Sequence, residues 1–256
     1  KKALEVPELK EAISTAKEIH VRVYNLRDVQ QAIDAKADII YYDAFAADLQ
    51  QAIKLTEGTA SKLYLYTPLV LFDDHIKRLQ EIIFSVKPAG IQANNIGVLD
   101  LDFPGDIILG HQMNIFNDNQ LAFYQKRAIA SLELNKTELS QFKQKNKLIY
   151  FVHGYPAVMT FREEFDTNYL TDEKDYTFRL RKTSTGATEM LYSRSIGLLQ
   201  RTPEVLDIGI TSLYLDLERD VFELVSLYKQ FLERKTPNVS QFKYNATVGN
   251  LVKGVM

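Results

Sequence analysis

Short apolar and β-branched runs recur along the chain, and most are followed by a stretch in which apolar residues return every three or four positions. The runs predict eight strands, at residues 20–24, 39–43, 62–67, 90–93, 107–110, 129–132, 148–152 and 210–216. The intervening segments VQQAIDAKA, DLQQAIKLT, HIKRLQEIIFSV, NQLAFYQKR, KTELSQFKQK and VFELVSLYKQFLER predict helices. Strands alternating with helices are the signature of a parallel sheet covered by helices, and this order predicts a TIM-like (β/α)8 barrel. ADIIYYD and KLIYFV read as apolar on both faces, which suits strands buried between a barrel interior and a helical shell. An open doubly wound sheet is the alternative.

The rhythm breaks between the seventh and eighth strands. YTFRLRKTSTGATEMLYSR, residues 176–194, alternates around a Thr-Gly turn and predicts an antiparallel hairpin, either at the rim of an active site or merely capping the barrel. IGLLQRTPEVLDIG reads as a helix started or interrupted near Pro203. The expected organisation is a barrel over residues 1–235 and a C-terminal extension over 236–256. KKALEVPELKEAI reads as an amphipathic helix rather than a signal peptide. The chain begins at Lys1 and ends at Met256 within an apparent motif, so a segment of a longer polypeptide is expected.

Composition narrows the chemistry. With 256 residues, 46% apolar and 25% charged, the chain is long enough for one large domain with a substantial core. A net charge of −2 supplies no whole-chain attraction for nucleic acid, although a local basic groove would not show in the sum. The absence of cysteine removes disulfides, thiolate nucleophiles, Cys-ligated zinc and Cys-held iron–sulfur clusters. No apolar run is long enough to span a bilayer, and a cytoplasmic location is expected.

In a (β/α)8 barrel the functional groups stand where strands end and βα loops begin. Those positions carry Asn25, Asp43, Thr67, Asn94, Asn95, the stretch from His111 to Asn117, Glu133, His153, Tyr155 and Asp216. GHQMNIFN is dense in amide and imidazole groups, which orient a polar ligand or simply cap loops. Asn95 and Gly97 read as a turn, and Asn94 as the better site candidate. Glu133 reads as a base, a ligand anchor or a partner of His153, or else as a cap for the next helix. His153 reads as a catalyst or as a hydrogen-bonded core histidine. Asp43 and Asp216 could complete an acidic metal cluster, but there is no H-x-x-E-H signature and only four histidines are present, so no metal is expected. No G-x-S-x-G elbow or glycine-rich phosphate loop occurs either. Lys174, Arg179, Arg181, Lys182 and Arg194 form either a basic groove or a solvated hairpin face.

At GHQMNIFN, ASLELNKTEL, LIYFVHGYPAVM, TGATEMLYSR and YNATVGNLVKGVM, the chain resembles the collagenase-like peptidase family U32 over most of its length. The resemblance implies Asn114, Asn117, Glu133, His153 and the Arg194 region as site positions. It also implies two kinds of activity. Some members are described as peptidases; others take part in oxygen-independent hydroxylation of RNA bases or quinone precursors and hold a four-cysteine iron–sulfur cluster. Where the cluster cysteines usually begin, this chain has TFREEFDTNYLTDEKDYTF, so no cofactor is expected. The expectation is a peptide hydrolase in which Glu133 or His153 activates water. Asn94, His111, Asn114, Asn117, Tyr155 and Arg194 bind the peptide or protein substrate. The alternative is a cluster-free, noncatalytic or partner-dependent protein of an RNA-modification system.

Overall fold

The computed structural model describes residues 16–239 and 246–253. The helix expected in KKALEVPELKEAI therefore lies outside the described residues, as does part of YNATVGNLVKGVM.

The first seven strands are β1 (Glu18–Arg22), β2 (Ile39–Asp43), β3 (Lys62–Tyr66), β4 (Gly90–Ala93), β5 (Asp106–Leu109), β6 (Arg127–Ile129) and β7 (Leu148–Gly154). An inserted region follows, comprising β8 (Ala157–Phe161), β9 (Tyr169–Thr171), β10 (Thr177–Lys182), β11 (Thr188–Leu191) and β12 (Ser195–Gly197). Then come β13 (Ser212–Asp216) and the short β14 (Ala246–Thr247). β1 to β7 run parallel in chain order, and β13 pairs in parallel with both β1 and β7, closing a (β/α)8 barrel of eight strands. The barrel helices are α1 (Leu26–Asp34), α2 (Leu49–Thr56), α3 (Asp73–Val86), α4 (Asp118–Tyr124), α5 (Lys136–Ser140), α6 (Thr202–Asp207) and α7 (Val221–Leu232). Between β4 and β5 the helix is reduced to a 3-10 turn, Ile96–Asp100, opened by the Asn95 side chain accepting from Gly97 N at 2.8 Å.

ADIIYYD and KLIYFV are buried on both faces, as their composition suggested, but the interior they help to line also carries polar and charged groups. Ile19 and Val21, Ile40, Leu65, and Leu213 and Leu215 are fully buried in the aliphatic core. The alternate positions meet one another inside the barrel, because successive strand residues point to opposite faces. Tyr41 of β2 packs on Tyr214 of β13 at 5.5 Å and on Tyr64 of β3 at 5.8 Å, while Phe151 of β7 packs on Tyr214 at 5.5 Å. At the N-terminal end of the barrel, Glu18 of β1 is ion-paired with Arg127 of β6, and His20 Nδ1 lies 2.8 Å from the Tyr41 hydroxyl. Branched aliphatic residues usually fill such interiors; here aromatic and charged residues do.

That interior network moves two predicted boundaries. The helix expected to reach Arg127 stops at Tyr124, with Gln125 in the left-handed region (φ 53°), and Arg127 begins β6 so that it can enter the barrel. β6 consequently ends at Ile129, two residues before the Ser131 that the sequence placed inside a strand. The helix expected over 136–145 is only α5, closed at its start by Asn135 and Glu138, whose side chains accept from each other's backbone N–H at 3.0 and 2.8 Å. The capping role offered to Glu133 therefore belongs to Asn135.

The hairpin is present as β10 and β11, with Lys182 opposite Thr188, but it is half of a larger antiparallel sheet ordered β8-β11-β10-β9. β12 returns antiparallel to β7, extending that strand to Gly154.

Candidate active site at the barrel mouth

The C-terminal ends of β1, β2, β3 and β13 bring Arg22, Asp43, Tyr66 and Asp216 to one rim. The hairpin lies across them and contributes Arg181 and Glu189. Tyr24 donates to Asp216 Oδ1 at 2.5 Å and accepts from Arg181 Nη1. Arg22 lies 3.4 Å from the centroid of the Tyr66 ring and 4.6 Å from that of Tyr24, and Arg181 also lies 4.6 Å from Tyr24. Rings and guanidiniums thus share faces across the mouth, an attractive arrangement because each ring face carries negative quadrupole density. Arg181 grips Glu189 through Nε at 3.0 Å and Nη2 at 2.8 Å, and reaches Glu218 at 3.0 Å. The Ser184 hydroxyl at the hairpin tip lies 2.8 and 2.9 Å from the two Asp43 oxygens and pins the hairpin to the end of β2.

This burial sets the charges. Desolvation opposes ionisation of Glu189, but the Arg181 and Arg22 guanidiniums outweigh it and hold the carboxyl below its ordinary value. For Asp43, desolvation dominates over its hydrogen bonds from Phe45 N and Ser184 and pushes the carboxyl up. Burial also lowers His111 and His153 to about 4, with Arg22 adding to the effect at His111. Both rings are therefore neutral at pH 7.

Two cavities open here. A cleft of about 510 Å³ lies between the inserted sheet and the ends of β7 and β13, with His153, Tyr155, Tyr169, Arg179 and Glu218 among its walls. A smaller chamber of about 100 Å³ is bounded by Arg22, Asp43, Tyr66, Lys182 and Glu189. Arg181 lines both.

The residues expected from sequence are dispersed relative to this rim. His153 forms part of the cleft wall, and its Nδ1 lies 3.3 Å from the Tyr228 hydroxyl of α7. Tyr155 is also on the cleft, with Arg179 stacked on its ring at 5.3 Å. Glu133 is exposed on the turn after β6, outside both cavities, with its backbone N–H on Ser131 Oγ at 3.4 Å, so the structure does not pair it with His153. Asn94 is a buried strut, donating to Thr67 O at 2.6 Å and accepting from Gln92 Nε2 at 3.2 Å. His111 packs against Phe151 at 5.6 Å, and neither ring nitrogen has a hydrogen-bond partner among the described residues. Asn114 is exposed in a left-handed turn at φ 51°, and Asn117 caps α4 by accepting from Gln120 N at 3.1 Å. Arg194 is exposed between Ser193 and Ser195, which both line the cleft. The hairpin cations read as a basic groove are drawn onto carboxylates, with Arg179 on Glu218 at 2.5 Å and Lys182 on Glu164 at 3.0 Å.

Sequence reasoning missed Arg22, Tyr24, Tyr66 and Glu189. A signal for the first two existed in EIHVRVY, where Glu18, His20, Arg22 and Tyr24 occupy every second position. No comparable pattern could place Glu189, whose role depends on where the hairpin folds. The Asp43–Asp216 metal cluster does not form, since Asp43 is held by Ser184 and Phe45 N, and Asp216 by Tyr24 and Arg22. Nor do the residues fit a cysteine-held cluster. The stretch that would supply it has exposed carboxylates such as Glu163, Glu164 and Asp166, hard oxygen donors unlike the thiolates such a cluster needs.

Among the described residues no helix is long and apolar enough to cross a membrane. No curated protein matches the sequence. Among solved structures, the chain is similar to the spore cortex-lytic enzyme SleL of Bacillus cereus, with 9% identity and a TM-score of 0.46, covering 89% of this chain and 75% of that one. It is also similar to orotidine 5'-phosphate decarboxylase from Pyrococcus horikoshii OT3, with 10% identity and a TM-score of 0.42, covering 83% of this chain and 99% of that one. A model of peptidase family U32 matches residues 24–247, nearly the whole described barrel with its inserted sheet, and the chain belongs to that family.

Proposed function

We propose that the chain is a cytoplasmic peptide hydrolase whose substrate lies in the cleft between the inserted sheet and the barrel mouth. The observation that carries this reading is the position of Glu218 on the cleft wall, with Arg179 at 2.5 Å and Arg181 at 3.0 Å. A carboxylate flanked by guanidiniums supplies the two groups that amide hydrolysis requires, a proton acceptor for water and a cation for the developing oxyanion. In the proposed step Glu218 accepts a proton as the water oxygen bonds to the carbonyl carbon. Arg181 stabilises the oxyanion, and the proton passes from Glu218 to the amine as the C–N bond breaks. Tyr155 and neutral His153 form part of the wall against which the peptide backbone rests.

Membership of a peptidase family supports the reaction class. The test is release of new amino termini from gelatin and casein by the purified chain and by Glu218→Gln, with circular dichroism reporting the fold. Loss of turnover in a folded Glu218→Gln protein is expected. Undiminished turnover rejects the role of Glu218, and no turnover by the unaltered chain rejects hydrolysis.

A further inference from the structure

The 100 Å³ chamber beside the cleft is bounded by Arg22, a buried guanidinium only 6% exposed that takes no part in the step above. We propose that this chamber is a subsite for the α-carboxylate of a peptide's C-terminal residue, which would make the chain an exopeptidase acting from the carboxyl end. The inference rests on the peptide-hydrolase reading for its substrate and on the chamber itself for its chemistry.

A guanidinium carries five N–H donors. The Arg22 guanidinium packs against Tyr66 and Tyr24, whose ring centroids lie 3.4 and 4.6 Å away. Its hydrogen bond to Asp216 is long, 3.4 Å, and Asp216 is committed at 2.5 Å to Tyr24. A guanidinium on the wall of a small cavity matches a planar, two-oxygen anion, for which arginine forms parallel paired hydrogen bonds. Arg181 and Lys182 also line the chamber, together with Asp43 and Glu189. Size gives a second, independent constraint. About 100 Å³ is the scale of one small residue, and Arg181, shared by both cavities, places the chamber beside the cleft that holds Glu218.

The test uses acetylated peptides made in pairs, identical except that one ends in a free carboxylate and the other in an amide. Binding is measured by titration calorimetry to the unaltered chain, Arg22→Lys and Arg22→Gln, with inorganic phosphate as a competitor. Products are read by mass spectrometry. The expected result is at least tenfold tighter binding of the acid than of the amide, and stepwise loss of residues from the carboxyl end. Arg22→Lys keeps the charge but loses the fork, and should bring the acid's advantage over the amide below threefold. Equal binding of acid and amide by the unaltered chain overturns the proposal, as does phosphate binding as tightly as the acid peptide. Internal cleavage of both peptides would remove the subsite and leave hydrolysis standing. Preferential binding of the acid without cleavage would keep the subsite and remove hydrolysis.

Discussion

Replacing Glu189 by Gln keeps the shape of the side chain and removes its charge, so it isolates the contribution of the buried ion pair at the mouth. The Glu189 side chain is 2% exposed and that of Arg181 15%, and the two are joined by a two-pronged contact at 2.8 and 3.0 Å. Breaking a buried pair by altering one partner costs about 3–5 kcal/mol, because the remaining charge has neither water nor a counterion. Arg181 keeps Glu218 at 3.0 Å and Asp216 at 3.8 Å, which puts Glu189→Gln at the lower end, about 3 kcal/mol. Arg181→Met should cost more, about 5 kcal/mol, since it strands Glu189 and weakens the surroundings of Asp216 and Glu218 together. The double variant should show a coupling energy of about 2 kcal/mol between the two sites. Urea unfolding followed by far-ultraviolet circular dichroism measures all three, with an unchanged denaturant slope as the control for a single transition. A Glu189→Gln protein within about 0.5 kcal/mol of the parent, or a coupling energy near zero, would show that solvent screens the pair and that the hairpin is not held down by it.

Acid should unfold the protein through its buried histidines. Both His111 and His153 fall to about 4 in the fold from an ordinary value of 6.5, so between those values the unfolded chain binds the extra protons and stability rises with pH. The loss on going from pH 7 to pH 4 is about 3 kcal/mol per ring, and urea midpoints that stay flat across this range would contradict it. Gly154→Ala should lower the melting temperature by roughly 6–12 °C: Gly154 sits at φ +130°, and an added Cβ would stand 2.8 Å from the Cβ of Asp216 and closer still to its carbonyl oxygen. A melting temperature within 2 °C or so of the parent would show that the β7–β13 seam yields freely.

The barrel was legible because its signal is periodic and local. Eight runs of strand character separated by helical periods dictate the same strand order whatever the interior contains. The hairpin was legible for a similar reason, since Thr183, Gly186 and the alternation around them carry turn chemistry within a few residues. The site was less so. Glu133 and Asn117 stand at βα junctions in the sequence as clearly as Asp216 does, but one ends on an exposed turn and the other caps a helix, because only some strand ends turn their polar residue toward the axis. Arg181 entered the sequence reading only within a candidate basic groove and Glu189 not at all, because the hairpin carrying them contributes from outside the eight-strand repeat. The composition of Tyr41, Tyr64, Tyr66 and Tyr214 misled in the same direction: tyrosine reads as core, and these residues are core, but of an interior that also carries charge.

Closure of the barrel also constrains the order in which the molecule can assemble. Arg22 and its partner Asp216 are 194 residues apart, and β1 has its parallel neighbour β13 only after the six intervening barrel strands and the inserted sheet have been made. Contacts this distant in sequence are slow to form, since the intervening loop must be closed before they repay its entropy. During synthesis the first seven strands emerge as a sheet with an unpaired edge at β1, and Arg22 has yet to meet its carboxylate. Such an edge invites pairing with another chain. β13, the eighth barrel strand, therefore acts as a kinetic checkpoint: its arrival ends the period of exposure to aggregation, neutralises the buried cation, and completes the mouth on which the proposed chemistry depends.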